Sequence, residues 1–138
     1  GTTREAMVRA AMEGICMNLK ESILYLCEKT GKADEILFCG GGSRSSFWMQ
    51  MFADVFHTKI IKTNIDQDAA AVGAAAIAAK AAGIWKDYQG IASLHRIECI
   101  SVPDPERAAR YEALQQTFVH ISNVLADLGD YMSGHADK

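Results

Sequence analysis

The chain is poor in proline, in aromatic residues and in basic charge. Only 2 of its 138 residues are proline and 8% are aromatic, whereas 49% are apolar. This length and composition predict one compact domain with a hydrophobic core, and leave too few residues for two ordinary domains. The net charge of −3 provides no basic excess of the kind that neutralises phosphate backbones, so nucleic acid is a poor candidate partner.

Long apolar segments and a secretion signal are also missing. The longest stretch of low charge, residues 69–82, is mostly alanine and is interrupted by Lys80. It is shorter than the roughly 20 apolar residues that cross a bilayer, so it predicts a buried helix and no membrane partner. Arg4 and Glu5 open an amphipathic pattern without an apolar signal core, which predicts a cytoplasmic protein.

Motifs for metal, redox or hydrolytic chemistry are lacking. The four cysteines have no CxxC spacing and no histidine placed as a zinc partner, which predicts four buried, reduced thiols and no metal site. The four histidines are scattered, and no motif places a nucleophile beside one of them, so a hydrolase triad is unsupported. The cysteines concerned are Cys16, Cys27, Cys39 and Cys99.

What is present is an alternation of helical and strand-like segments. Thr2 and Glu5 have the spacing of a capping box, and apolar residues then recur at helical intervals as far as Gly31. Residues 35–39 predict a buried strand, and residues 45–56 a helix in which Trp48 and Phe52 pack against neighbours. Further segments follow: a strand at 59–62 and a tightly packed alanine-rich helix at 69–82, capped by Asp66 or Asn64.

The last third of the chain has fewer signals. Residues 84–94 show no clear pattern apart from a break at Gly90, and residues 97–102 are weakly strand-like. Asp104 as N-cap and Pro105 in the first turn predict a final helix. The fold class is therefore α/β with a short, incomplete sheet, which indicates part of a larger domain.

One segment carries a recognisable chemistry. Residues 40–45 read GGGSRS between a strand and a helix, where glycine lets a ligand approach the backbone and the helix start offers N–H donors. A nucleotide is the natural ligand. The dinucleotide fingerprint fails because Ser45 occupies the third small position, and no P-loop lysine follows. Taken alone, such a turn is equally consistent with a purely structural role.

Four segments, in order, resemble the FGGY carbohydrate kinases, the sugar-kinase branch of the actin-like ATPases. They are RAAMEGI at 9–15, GGGSRS with Trp48 and Gln50, ADVF at 53–56, and DAAAVGAA at 68–75. The last has Asp68 where glutamate is usual. The resemblance implies a partial actin-like (ribonuclease H-like) domain at residues 1–132, the nucleotide side of the family's C-terminal domain, followed by a flexible tail at 133–138.

The resemblance also implies an adenosine site. Three glycine backbones would lie beneath the adenine and ribose of ATP, two serines would offer polar contacts to the base, and one arginine is a candidate contact to phosphate or ribose. No catalytic residue and no metal ligand is expected in this sequence, because magnesium is held mainly by parts outside it. The implied site residues are Gly40, Gly41, Gly42, Arg44, Ser45 and Ser46.

The implied activity is transfer of the γ-phosphoryl of MgATP to a sugar hydroxyl, with the sugar bound by an N-terminal domain outside this sequence. The GGG–W–Q–ADV run is most similar to the xylulokinase-like members, which favours a pentulose such as xylulose. The piece alone is expected to be inactive and, because its sheet is incomplete, to self-associate.

Two alternatives compete with the kinase. A non-catalytic nucleotide-binding or protein-interaction module of the actin-like superfamily would keep the same glycine turn. A Rossmann oxidoreductase is disfavoured by Ser45 and by Lys62, which stands where an acidic residue is required.

Asp66 and Asp68 could be read as paired carboxylates for acid and base work, but loop or N-cap roles are favoured. Lys20 is read as part of a solvated helix face.

Overall fold

Four α-helices and three short strands form the structure, a computed structural model that describes residues 1–134. Short 3₁₀ helices lie between them at Gly41–Arg44, Asp66–Asp68 and Gln89–Leu94. Of the predicted tail, Ser133 ends the last helix and residues 135–138 lie outside the described part of the chain. In chain order the elements are α1 (Arg4–Thr30), β1 (Glu35–Leu37), α2 (Ser46–Phe56), β2 (Lys59–Thr63), α3 (Ala69–Ala81), β3 (Ile97–Ser101) and α4 (Pro105–Ser133).

The ends of the long helices follow from local chemistry. Thr3, not the predicted Thr2, caps α1, because its hydroxyl reaches the Ala6 N–H three residues on at 3.2 Å. Gly31, at a φ of 88°, ends that helix as predicted. Asp104 caps α4 by accepting from the Arg107 N–H at 2.9 Å, which confirms the predicted start of the last helix.

The sheet has the order β1-β2-β3. β1 runs parallel to β2, with Ile36 opposite Ile60, and α2 forms the crossover between them. β2 and β3 are antiparallel, with Ile61 opposite Ile100. This arrangement confirms an α/β fold with a small, incomplete sheet.

Helix α2 lies at the centre of the core, between the sheet and the helices α1 and α4. Six of its 11 residues are buried. Phe52 contacts Phe38 beside the sheet, with ring centroids 4.5 Å apart, and stacks on Trp48 of its own helix at 5.3 Å. Trp48 and Phe52 therefore pack as predicted, and the hydrophobic side of α2 holds the two layers together.

A buried carboxylate links α2 to α4. Asp54 is 2% exposed and accepts hydrogen bonds from Gln50 Nε2 at 2.8 Å and from the backbone N–H of Asp104 at 2.8 Å. It also accepts from Arg107 Nε at 2.6 Å, and this bond raises the pKa of the Arg107 guanidinium. These three donors replace the hydrogen bonds to water that the carboxylate loses on burial.

Polar contacts also join α1 to α4. The Tyr111 hydroxyl donates to Glu13 Oε1 at 2.9 Å and accepts from Arg9 at 3.1 Å. Lys20, predicted on a solvated face, is only 7% exposed because α4 crosses there and Glu112 lies 2.7 Å from its Nζ. The same contact lowers the pKa of Glu112.

Several segments predicted to be buried are not. α3 buries Ala76 alone among its residues, and β1 leaves Glu35 and Leu37 exposed, because the described chain has no layer over those surfaces.

Asn64 does not cap α3, since its side-chain oxygen accepts from the Arg96 N–H. No helix within residues 1–134 combines the length and apolar character needed to cross a bilayer.

The four cysteines differ in their environments, although all are free thiols. Cys16 is buried, and desolvation, followed by the charge of Glu13, raises the pKa of its thiol to about 12. Cys27 is half-buried, and Cys39 and Cys99 are exposed, so the prediction of four buried thiols was confirmed for Cys16 alone. Cys39 and Cys99 follow or belong to strands whose outer surfaces are uncovered.

Replacing the buried carboxylate should weaken the whole fold. We expect Asp54→Ala to lower the free energy of unfolding by about 2 kcal/mol, because three donors lose a charged acceptor. Asp127→Ala, which removes an exposed carboxylate on α4, serves as the matched control. Urea unfolding followed by circular dichroism measures both variants, and equal midpoints for the two would contradict the expectation.

Candidate functional site

The glycine turn lies where β1 ends, beside the end of β2. Because these two strands are parallel, the residues that follow them meet at one edge of the sheet, where open α/β sheets bind their ligands. Gly40 leaves β1, the 3₁₀ helix Gly41–Arg44 makes the turn, and Ser45 starts α2. The predicted site residues thus occupy the turn and the first residue of α2.

Glycine is suited to each of the three positions of the turn for a different physical reason. Gly40 has a φ of 89°, a left-handed conformation that other residues rarely adopt. A Cβ on Gly42 would stand 3.0 Å from the Phe38 ring, so this glycine permits close packing. Gly41 is exposed, and a Cβ added to it would meet no atom within 4 Å, which leaves its backbone open to a ligand.

Donor groups lie along the same turn. The Ser43 N–H donates to the Gly40 carbonyl at 3.1 Å, so the N–H groups of Gly41 and Gly42 precede the first hydrogen bond of the 3₁₀ helix. The Ser45 hydroxyl accepts from the Trp48 N–H at 3.3 Å and is thereby used as the cap of α2. Ser46, the first residue of α2, is exposed.

Arg44 extends from the turn into solvent, with 68% of its side chain exposed. Its Nε lies 3.9 Å from Asp66 Oδ2, which makes a long ion pair. An exposed arginine in this turn adds a positive charge three residues from the open backbone of Gly41, which suits an anionic ligand.

Asp66 is the residue of this site that sequence reasoning missed. Its Oδ1 accepts from the Gly40 N–H at 3.1 Å and from the Ser43 hydroxyl, while Lys62 Nζ lies 4.0 Å from its Oδ2. The sequence suggested a loop or helix-cap role. Asp68, the other carboxylate of that interpretation, is exposed and caps nothing with its side chain, so the structure gives no acid and base pair.

The larger cavities lie elsewhere. One of about 550 Å³ opens on the uncovered face of the sheet beside Leu37 and Tyr88, and another of about 360 Å³ lies between α1 and the sheet near Ile23 and Phe56. The glycine turn lines neither of them. Within residues 1–134, no three histidine, cysteine or acidic side chains come together as a metal site.

Comparison with known proteins accounts for this arrangement. The C-terminal domain of the FGGY family of carbohydrate kinases matches residues 1–82, which include α1, the glycine turn, α2 and α3. The chain belongs to this family. The match covers more than half of the sequence and all of the candidate site.

Individual relatives agree with the family. The xylulose kinase of Bacillus subtilis (strain 168) is 32% identical over 126 residues, which cover 91% of this chain and 25% of the relative. The glycerol kinase of Acaryochloris marina (strain MBIC 11017) is 35% identical over 104 residues, covering 75% of this chain and 20% of the relative. This FGGY chain therefore spans about a quarter of the length of the relatives it matches.

A solved structure agrees with the fold. The crystal structure of ligand-bound xylulose kinase from Lactobacillus acidophilus superposes with a TM-score of 0.79 at 31% identity. The superposition covers 91% of this chain and 26% of that one. The predicted actin-like fold of the family is thereby confirmed for the FGGY domain described here.

The glycines of the turn should differ in their tolerance of a side chain. Gly40→Ala places a Cβ at a left-handed φ, and we expect it to lower the free energy of unfolding by about 1 to 2 kcal/mol. Gly41→Ala is the matched control, because its Cβ meets open space and should change stability by less than about 0.5 kcal/mol. Thermal unfolding of both variants measures the difference, and equal losses would contradict the expectation.

Proposed function

We propose that this chain is the adenosine-binding part of an ATP-dependent sugar kinase. The observation that carries the proposal is the open backbone of Gly41 in the turn between β1 and α2, within the region that matches the FGGY family. Adenine and ribose would lie over Gly40, Gly41 and Gly42. Ser46 has an exposed position from which it could contact the base, and Arg44 is a candidate contact for phosphate or ribose.

The residues of this chain do only part of the chemistry. Phosphoryl transfer requires a cradle for the β and γ phosphates, bound magnesium and a base for the attacking hydroxyl. The proposed site would take only the adenosine end of ATP, and the chain spans about a quarter of the length of its relatives. We therefore expect no turnover by the 138-residue chain with ATP and a sugar, and turnover above a blank in a coupled assay would contradict this.

The substrate of the complete protein is proposed as a pentulose such as xylulose. Support comes from the GGG–W–Q–ADV run and from the xylulose kinases among the relatives. A glycerol kinase has a similar identity of 35%, so the identities alone do not select the sugar and the proposal rests on the GGG–W–Q–ADV run. A cytoplasmic location likewise stays a prediction.

Titration with ADP tests the proposed adenosine site. In amide-resolved NMR, we expect saturable shifts confined to residues 40–46, because the ligand would lie on their backbone. Gly41→Leu should weaken binding by about tenfold, since its side chain would fill the space above the turn. Gly129→Leu, which adds the same side chain on exposed helix α4, should bind as the wild type does.

The outcomes separate clearly. A well-folded wild type that shows no shifts in the turn would contradict the proposed adenosine site. Equal affinities for the wild type and Gly41→Leu would place the nucleotide elsewhere on the molecule.

We also infer that the isolated chain self-associates. The far half of α4 exposes apolar residues at alternating spacings of three and four, the pattern of helices that pair along a seam. Leu114 and Phe118 begin this series beside α1, and it continues through Ile121, Leu125 and Leu128, all three of which are exposed.

Sedimentation velocity tests the self-association. We expect the wild type to sediment faster as its concentration rises, and the double variant Leu125→Glu with Leu128→Glu to remain monomeric, because charges in the seam repel. Gln116→Glu with Asn123→Glu places the same charges on the opposite side of α4 and should leave the association intact. A wild type that is monomeric at every concentration would contradict the inference.

A further inference from the structure

Asp66 links the end of β2 to the glycine turn at the end of β1. Its carboxylate is 14% exposed, although it lies in a short connecting segment. Through Oδ1 it accepts from the Gly40 N–H at 3.1 Å and from the Ser43 hydroxyl. Asp66 is therefore placed to fix the turn across a separation of 26 residues in sequence.

These contacts act on the two ends of the turn, which the hydrogen bond from the Ser43 N–H to the Gly40 carbonyl also joins. Gly40 has a left-handed φ of 89°. Because glycine has no side chain, its backbone can also adopt many other conformations unless contacts hold it. Ser43 is buried, and its hydroxyl also lies 2.8 Å from the Gly40 carbonyl oxygen. A single carboxylate oxygen thus holds both ends of the segment that contains Gly41.

The other oxygen of Asp66 faces cations. Lys62 Nζ lies 4.0 Å and Arg44 Nε 3.9 Å from Oδ2. Lys62 comes from β2, where Glu98 of β3 also contacts it at 3.2 Å. The backbone of Asp66 has a φ of 24°, which is uncommon for a residue other than glycine. Such conformations persist where the surroundings hold them and are frequent at functional sites.

We propose that Asp66 is the positioning residue of the nucleotide site, which holds the glycine turn in the shape that receives adenosine. This inference rests on the proposed function, because it assumes that the nucleotide lies on Gly41. Asp66 itself need not touch the ligand. It acts through the hydrogen bonds of Oδ1 to the turn, and an oxygen acceptor at that position is what the site requires.

Two variants and a control test this inference in the 138-residue chain, with ADP as the probe. Asp66→Ala removes the acceptor, and we expect ADP affinity to fall about tenfold and hydrogen exchange of the Gly40 amide to become faster. Asp66→Asn keeps an oxygen that can accept both bonds, so affinity should return to within about threefold of the wild type. Asp68→Ala removes an exposed neighbouring carboxylate and should change neither quantity.

Each outcome decides the question. Wild-type affinity in Asp66→Ala would overturn the inference and leave the adenosine site standing. Equal weakness of Asp66→Asn and Asp66→Ala would also overturn it, because the charge and not the acceptor would then matter. Absence of ADP binding by the wild type would remove the proposed function and this inference together. Rescue by Asp66→Asn supports the inference even if Asp66→Ala is poorly folded.

Discussion

The burial of one short helix is the constraint on which the structure depends. α2 has the sheet on one side and α1 and α4 on the other, and six of its residues are buried. Hydrophobic packing around Phe52 joins it to the sheet, and the buried carboxylate of Asp54 joins it to the start of α4. Apolar packing on one side and a buried carboxylate on the other therefore both hold α2 in place.

The position of α2 also determines where a ligand can bind. Ser45 caps the helix, so the glycine turn is held at its N-terminal end, above the edge where β1 and β2 finish. The parallel pairing of those strands brings Asp66 to the same edge. The turn is thus restrained from two sides, by the cap of α2 and by a carboxylate from the next connection, while Gly41 stays open.

The incorrect predictions have a common cause. Apolar composition predicted buried positions for α3, for the strand β1 and for Cys39 and Cys99, yet these are largely exposed. Burial requires a neighbouring layer, and the chain spans about a quarter of its relatives' length. Lys20 shows the opposite error, since a charged residue in a helical pattern became buried when α4 supplied Glu112 as its partner.

The sequence by itself determined the features that depend on near neighbours. The helix ends at Gly31 and Asp104, the strand-turn-helix with its three glycines and the α/β alternation all follow from interactions over a few residues. Only the tertiary structure decided which faces are covered and which distant groups meet. Asp66 joined the glycine turn because two strands pair in parallel, and no local pattern specifies the partner of a strand.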